Sequence, residues 1–406
     1  MLELILDYSS TLLNKLSMLK SSLFPKNSLP NYMVKFFTFM ASFKVRFLFS
    51  NLLMVGGLFL VINQLLRVLK TGGHPWASGE WLINYNGGFV RRGLFGTVLL
   101  LITNKPEIIL LLVLIFNLLL YVVIWGFFYW ALIINKFSWY SILIAASPAG
   151  ILFISWDKYV FVRKELLGVV CLILLILIKK GSLQNELWIF LTLCLYLLSL
   201  LMGEINFFYF PSIVYMIIQL RIKLNNRFIL IFFFIALTIL YFSMKSHGSD
   251  KLAEEVCSRL VEVGLKKELI CPGAISALEI TLTQAIESNI NLATSNLLFI
   301  PIILFTIIPF FLLPKIEKIR STLIISFLSI CPLFVIAGDY GRWVFMFYCI
   351  VGTQIILHDS LQKKSSQCQI FFTIVYTTIW GFPHTGGNPI KNGWFGAISA
   401  LINNIF

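Results

Sequence analysis

Charged residues are scarce in this sequence. Asp, Glu, Lys and Arg make up 12% of the 406 residues, whereas 59% are hydrophobic and the mean hydropathy is +0.89. Soluble domains carry roughly 25% charged residues. Such a composition excludes a soluble enzyme or binding domain, so a lipid bilayer must be the solvent for most of the chain.

Familiar catalytic and metal-binding signatures are also lacking. The sequence has no Gly-x-Ser-x-Gly elbow, P-loop, dinucleotide-binding loop or HExxH motif, and its 7 cysteines show no metal-ligand spacing. We therefore expect no cofactor and no metal site. A nucleic-acid partner is not expected either, because the net charge of +14 is not gathered into a basic patch interleaved with aromatics.

The long apolar stretches predict an all-α polytopic membrane protein with about 11 transmembrane helices. Continuous apolar runs favour helices over the alternating strands of a barrel. The predicted spans are 48–66, 107–134, 139–155, 165–178, 186–202, 205–219, 228–243, 294–313, 321–337, 343–358 and 369–382. The apolar stretch 94–103 rises only about 15 Å as a helix, so it is predicted to be re-entrant or interfacial.

Three regions are predicted: an N-terminal segment over 1–46, a transmembrane domain over 47–382 and a C-terminal segment over 383–406. The first 46 residues lack a cleavable signal pattern. Their leucines recur at helical spacing, which predicts an amphipathic helix on the membrane surface, with a partner-docking helix as the alternative.

Short basic connections set the predicted topology. They all fall on the side of the basic N-terminal segment, and the positive-inside rule makes that side the cytoplasm. The loops 67–106 and 244–293 and the C-terminus are then outside. Cys257 and Cys271 share the second of these loops, where an oxidising compartment lets them pair, although two free thiols remain the alternative.

The first outer loop holds the most distinctive polar cluster, with Glu80 followed by Arg91 and Arg92 directly before an apolar helix. Guanidinium forks and free backbone N–H groups at a helix start make a seat for phosphate. The glycines expected to let the backbone approach a ligand closely are Gly87, Gly88, Gly93 and Gly96. Interfacial anchoring of the arginines and aromatic residues among lipid headgroups is the alternative.

The other polar clusters also fall in predicted outer connections. They contain Asp157, Arg163, Lys164 and Glu165 after the third span, Glu204 after the fifth, Asp339 and Arg342 after the ninth, and His384 after the last. Asp157 and Glu165 are candidate bases or cation partners, and a self-neutralising solvated loop is the alternative. Asp339 and Arg342 either pair with each other or leave Arg342 to bind phosphate.

These features together resemble the membrane glycosyltransferases of the GT-C superfamily and the O-antigen and capsular polysaccharide polymerases called Wzy. The likeness lies in the many spans, the long first outer loop with Glu80 and a short membrane-lying helix, and the arginines in outer loops. It departs from the GT-C pattern because this loop has one acidic residue, rather than a pair, before Glu107. The resemblance implies a polymerase of the bacterial inner membrane that acts in lipopolysaccharide or capsule synthesis.

The implied substrate is an oligosaccharide on polyprenyl pyrophosphate, and the implied partners are the lipid bilayer and a chain-length regulator protein. Glu80 or Asp157 would take the proton of the acceptor hydroxyl. The side chains predicted to bind substrate are Arg91, Arg92, Arg163, Lys164, Glu204, Asp339, Arg342 and His384. The rival function is a flippase of lipid-linked oligosaccharides, which discontinuous helices in two related halves would favour.

Overall fold

The computed structural model describes residues 31–157, 163–180, 186–222, 226–245, 249–296, 299–314, 319–384 and 393–394. It is 79% helix, with no strand among the described residues, in agreement with the predicted all-α class. The chain divides into two units, residues 1–46 and 47–406. In the first unit, α1 spans Asn31–Met40. The amphipathic helix predicted among the first twenty residues lies outside the described residues.

The next helices carry the first outer loop and the centre of the protein. They are α2 (Phe43–Thr71), α3 (Ala77–Leu82), α4 (Leu94–Ile102), α5 (Pro106–Ile134), α6 (Trp139–Ala145), α7 (Phe153–Trp156), α8 (Leu166–Lys180), α9 (Glu186–Met202), a 3-10 turn (Glu204–Tyr209), α10 (Phe210–Gln219) and α11 (Asn226–Lys245). After them come α12 (Asp250–Glu262), α13 (Lys267–Ile270), two short turns over 271–279, α14 (Leu282–Asn296), α15 (Phe299–Phe311), α16 (Arg320–Ile330), α17 (Leu333–Ile336), α18 (Tyr340–Ile355), a 3-10 turn (Asp359–Gln362) and α19 (Gln367–Thr378).

Several of these helices are long and apolar enough to cross a bilayer. Within the described residues, α2, α5 and the 227–245 part of α11 meet both criteria, with mean hydropathies of 2.0, 3.0 and 2.2. A pair of helices bent by 100°, Lys267–Glu279 and Leu282–Asn291, would add a fourth. Four further apolar helices are shorter, at 10 to 17 residues. Long, unbroken spans are therefore fewer than the eleven stretches predicted from hydropathy.

Prolines explain part of this difference. The predicted span 139–155 is divided into α6 and α7 by a turn that contains Pro148, and the predicted span 321–337 is divided into α16 and α17 at Pro332. Proline has no backbone N–H to donate within a helix, and its ring clashes with the preceding turn. Mean hydropathy over a window of transmembrane length does not detect such a break, so the sequence predicts one span where the structure has two short helices.

Two helices form the centre of the protein. Every residue from Leu166 to Leu172 on α8 is buried, and so is nearly all of α18. Around them pack α5, α9, α10 and α16. The outer helices instead expose large apolar side chains, such as Leu52 on α2 (67% exposed) and Phe234 on α11 (60% exposed). Apolar surface of this extent suits contact with lipid rather than with water.

The connections predicted to be on the outer side lie close to one another. Residues from all six predicted outer connections meet at the N-terminal ends of α8 and α18. Asn135, in a predicted inner connection, instead lies near the C-terminal end of α18, where its side-chain amide donates to the Ile356 carbonyl at 2.6 Å. The stretch predicted to be a short helix, 94–103, is the 9-residue helix α4.

Candidate functional site

Arg92 lies at the centre of the cluster formed by the outer connections. Its Nε lies 2.9 Å from Glu204 Oε2 and its Nη2 lies 2.6 Å from Glu204 Oε1, which makes a two-pronged ion pair. Its Nη1 donates to Glu80 Oε1 at 3.1 Å. The backbone of Arg92 has φ of +67°, a left-handed conformation that costs a non-glycine residue of order 1–3 kcal/mol. The ion pairs hold the residue in this conformation.

Glu80 is buried on the short helix α3 and has both oxygens engaged. Arg92 binds one oxygen, and Arg163 Nη1 donates to the other at 2.8 Å. Only 1% of Glu80 is exposed. Burial alone would raise the pKa of this carboxyl, but the positive charges of Arg163 and Arg92 outweigh it and hold the pKa at about 2. Glu80 is therefore a fixed anion that orders two arginines.

Arg91 also belongs to this part of the cluster. Its Nη1 lies 3.3 Å from Glu204 Oε1, and its Nη2 donates to the Ala277 carbonyl at 2.7 Å. Burial lowers the pKa of Arg91 to about 10, with the neighbouring Arg92 charge acting in the same direction. Burial opposes the ionisation of Glu204, yet Arg92 and Arg91 hold its pKa well below its usual range.

Arg342, on the first turn of α18, links two more carboxylates. Its Nε donates to Glu165 Oε1 at 2.6 Å, and its Nη1 lies 2.7 Å from Asp339 Oδ2. The pairing of Asp339 with Arg342, one of the two alternatives left open by the sequence, is therefore what the structure shows. It leaves Arg342 occupied by two carboxylates, so direct binding of phosphate by Arg342 would require one of them to move.

Asp157 and Asp339 flank the imidazole of His384. Nδ1 of His384 lies 3.4 Å from Asp157 Oδ2, and Nε2 lies 3.5 Å from Asp339 Oδ1. The side chain of Asp157 is fully buried, whereas those of His384 and Asp339 are 13% and 34% exposed. This end of the cluster therefore reaches the surface of the protein.

Lys164 differs from the other cations of the cluster. Its Nζ donates to the Arg92 carbonyl at 2.9 Å and lies 5.5 Å from the centre of the Trp81 ring. It is completely buried and forms no ion pair with any carboxylate in the described part of the chain. Burial lowers the pKa of this amine to about 7, only partly offset by the Glu80 charge. Its charge therefore changes near neutral pH.

The network as a whole is electrically balanced. Its cations are Arg91, Arg92, Arg163, Lys164 and Arg342, and its carboxylates are Glu80, Asp157, Glu165, Glu204 and Asp339. With all ten ionised and His384 neutral, five charges of each sign are present. Apart from Lys164, and from Asp157 beside His384, these groups are paired with a group of opposite charge, so a charged ligand that binds to one of the paired groups must displace its present partner.

The burial of these groups decides two of the alternatives. Arginines that anchor a protein among headgroups are exposed, but Arg91 is 9% exposed and Trp81 of the same loop is fully buried, so anchoring is left to exposed aromatic residues such as Trp76. The segment Arg163–Glu165 is at most 3% exposed, so the prediction of a solvated, self-neutralising loop is wrong for these residues. Arg91 and the segment Arg163–Glu165 are buried because parts of the chain that are distant in sequence pack over them and supply their partners.

The predicted role of the loop glycines needs a correction. A Cβ at Gly87 would meet Glu255, one at Gly93 would meet Tyr85, and one at Gly96 would meet the Ile83 carbonyl. A Cβ at Gly88 would make only an ordinary contact, 3.9 Å from Leu252, but Gly88 has a positive φ, at +116°. Three of the four glycines therefore allow other parts of the protein to pack closely, rather than a ligand.

The structure brings together all ten side chains predicted to form a site, namely Glu80, Arg91, Arg92, Asp157, Arg163, Lys164, Glu204, Asp339, Arg342 and His384. Their catalytic and binding roles stay predictions. Glu165, which the sequence offered as a candidate base or cation partner, also belongs to the cluster, where it is a cation partner of Arg342.

The disulfide predicted between Cys257 and Cys271 is confirmed, with a Cα–Cα distance of 5.6 Å. It joins α12 to the turn that leads to Ala277, whose carbonyl accepts the hydrogen bond from Arg91. A backbone bond from Ala274 N to the Pro75 carbonyl, at 3.3 Å, ties the same segment to the first outer loop. The loop 244–293, predicted to be outside, therefore supports the site through its backbone.

Among the described residues, no group of three or more His, Cys, Asp or Glu side chains is arranged to hold a metal ion. The site is therefore described by its ion pairs and hydrogen bonds alone. Comparison of the chain with protein-family models, with curated proteins and with solved structures gave no match.

Proposed function

We propose that this protein is a membrane glycosyltransferase of surface polysaccharide synthesis. It would join oligosaccharide units carried on polyprenyl pyrophosphate at the outer leaflet of the bacterial cytoplasmic membrane. One observation carries the proposal: eleven ionisable side chains from distant segments lie close together and mostly buried, as two sets of ion pairs that meet at the segment Arg163–Glu165, in a protein whose two longest helices, α2 and α5, are apolar. Removing an ion from water costs several kcal/mol, and ionisable groups inside membrane proteins usually mark a functional site.

The pair of Arg92 with Glu204 indicates where the phosphates of the donor would bind. A carboxylate and a phosphate both accept the planar, two-pronged fork of a guanidinium. Glu204 therefore occupies the position that a phosphate would take, and its side chain is 13% exposed. When the donor enters, Glu204 moves aside and Arg92, with Arg91 beside it, binds the pyrophosphate.

The chemistry of transfer uses this arrangement. The bond from the anomeric carbon to a phosphate oxygen breaks, and its electron pair leaves with the pyrophosphate. Cations fixed in a site that excludes water stabilise such a developing charge most strongly. The N-terminal ends of α8 and α18 lie at the same place, and their helix dipoles favour negative charge there.

The proposal includes a topology of eleven spans, with the broken helices α6–α7 and α16–α17 each counting as one. The N-terminus is cytoplasmic, and the loops 67–106 and 244–293 and the C-terminus are outside. The meeting of all six predicted outer connections in one cluster supports a common side for them. The basic residues of the inner connections support the direction of insertion.

The test is turnover by purified protein in lipid nanodiscs that contain a polyprenyl-pyrophosphate-linked oligosaccharide. The expected result is a longer lipid-linked oligosaccharide, with release of polyprenyl pyrophosphate. A flippase would instead move a fluorescent lipid-linked oligosaccharide across proteoliposomes and leave its length unchanged. Translocation without elongation would overturn the proposal in favour of that alternative.

A cellular experiment tests the donor seat. Arg91→Lys keeps the charge but loses the fork, so polymer chains should shorten while the protein remains abundant. Arg67→Lys, on the end of α2, is the matched control and should leave the chain length unchanged. Arg67 is exposed and takes no part in the buried network. Normal polymer from Arg91→Lys would exclude a two-pronged phosphate contact at this residue.

A further inference from the structure

The accessibility and the ion pairs of each ionisable group indicate which residue can accept the proton of the acceptor hydroxyl. Glu80 has both oxygens bound by arginines, and its pKa of about 2 makes it a weak base. The pKa of Glu204 is held below its usual range by Arg92 and Arg91. General-base catalysis is most effective when the base has a pKa near the working pH. These two carboxylates are therefore poorly suited to the role.

Three other groups lie out of reach of an incoming hydroxyl. Asp157, Lys164 and Glu165 are each at most 1% exposed. Asp339 is more accessible, with 34% of its side chain exposed. Desolvation would raise the pKa of this carboxyl, but the hydrogen bond from His384 and the charge of Arg342 hold it below the usual range. The side chain of His384 is 13% exposed, so an acceptor hydroxyl can reach the edge of its ring, and imidazole is the group that most often serves as a general base.

His384 is also held in place from three directions. Asp157 faces Nδ1 and Asp339 faces Nε2, at 3.4 and 3.5 Å. The backbone N–H of Gly341 donates to the His384 carbonyl at 2.9 Å. A Cβ at Gly341 would lie 2.7 Å from that carbonyl oxygen, so the close approach requires glycine. A histidine exposed by chance at a chain turn would not need these contacts.

We propose that His384 is the general base that takes the proton of the acceptor hydroxyl, with Asp157, Asp339 and Gly341 as positioning residues. This inference rests on the glycosyl transfer proposed above and replaces Glu80 in the role of base. Glu80 instead orders Arg92 and Arg163.

In this step the ring carries its own proton on Nδ1, which faces Asp157 at 3.4 Å, and the acceptor hydroxyl displaces Asp339 from its position beside Nε2. The acceptor oxygen forms a bond to the anomeric carbon of the donor as its proton passes to Nε2. The bond from that carbon to the phosphate oxygen breaks, and the pyrophosphate leaves with the electron pair. Asp339 stabilises the imidazolium until the proton passes to water.

The experiment measures elongation in nanodiscs as a function of pH. Wild-type protein should lose activity at acid pH as the base becomes protonated. His384→Gln should lower kcat by about 100-fold, leave the KM for the lipid-linked donor nearly unchanged, and remove the fall at acid pH. Added imidazole should restore part of the activity of His384→Ala, since it replaces the missing proton acceptor. A purely structural role would not give this rescue.

His358, predicted to lie on the cytoplasmic side, offers a matched control. His358→Gln should keep the wild-type rate and pH profile. Gly341→Ala should lower kcat because it displaces His384, and its yield and thermal unfolding show whether it folds. A wild-type rate and pH profile in His384→Gln would overturn the assignment of the base while leaving the glycosyl transfer intact. Absence of turnover by the wild-type protein would overturn both.

Discussion

Replacement of Arg92 by lysine tests how strongly the buried network stabilises the protein. The guanidinium of Arg92 binds two carboxylates at once, Glu204 through a fork and Glu80 through Nη1. An ammonium group reaches one of them, because it is a point charge without the planar fork. Arg92→Lys should therefore leave one carboxylate short of a partner.

The size of the effect follows from these contacts. A hydrogen bond to a charged group contributes about 1.5–3 kcal/mol, and breaking a buried ion pair outright costs about 3–5 kcal/mol. In Arg92→Lys, Glu80 is still paired with Arg163, and Glu204 is still paired with Arg91. The expected loss of unfolding free energy is therefore about 3 kcal/mol, the lower end of the range for a broken buried ion pair. A loss of about 3 kcal/mol corresponds to roughly a hundredfold change in the unfolding equilibrium.

The assay is reversible unfolding in mixed detergent micelles, followed by tryptophan fluorescence. Arg221→Lys is the matched control, because Arg221 also has a positive φ, at +51°, but is exposed. Backbone strain is the same for arginine and lysine, so it cancels in both variants. The control should change stability by less than about 0.5 kcal/mol. If Arg92→Lys is as stable as this control, the ion pairs of Arg92 do not stabilise the fold.

Three further predictions concern other parts of the protein. Between pH 7 and about 10, Lys164 is protonated in the unfolded chain but neutral in the folded protein, where burial lowers its pKa to about 7. The free energy of unfolding should therefore rise with pH in this range, and Lys164→Met should flatten the rise in unfolding measurements. Replacing Cys257 and Cys271 by serine removes a disulfide that spans 14 residues and should lower the free energy of unfolding by about 3 kcal/mol. Proteolysis between residues 249 and 279 under non-reducing conditions should then be faster, and an unchanged cleavage rate would contradict this. In intact cells with a permeable outer barrier, an impermeant maleimide should label Asn86→Cys and spare Lys136→Cys, and the reverse pattern would invert the topology.

Local sequence determined the class of the protein and several of its parts. Apolar composition is enough to predict an all-helical membrane protein, because helices satisfy the backbone within one segment. The short helix over 94–102 followed from the length of its apolar run. The pairing of Cys257 with Cys271 followed from their shared loop on the predicted outer side. In each case the deciding residues are neighbours in sequence or belong to one connection.

The breaks in two predicted spans were not predicted from mean hydropathy. Pro148 and Pro332 are visible in the sequence, yet the apolar residues around them dominate a window of transmembrane length. The cost of a proline depends on whether the surrounding structure satisfies the backbone groups that it leaves free. Hydropathy does not report on this, so the described residues contain fewer long, unbroken helices than the eleven predicted spans.

Only the tertiary structure decided which charges meet. Arg163 and Glu80 are separated by 83 residues, Arg342 and Glu165 by 177, and Arg91 and the Ala277 carbonyl by 186. The topology predicted that these groups share one side of the membrane, but not that both oxygens of Glu80 are bound by arginines. Ion pairing depends on distances of a few ångströms between helix ends, and those distances are set by how α8 and α18 pack in the centre of the protein, not by any pattern along the chain.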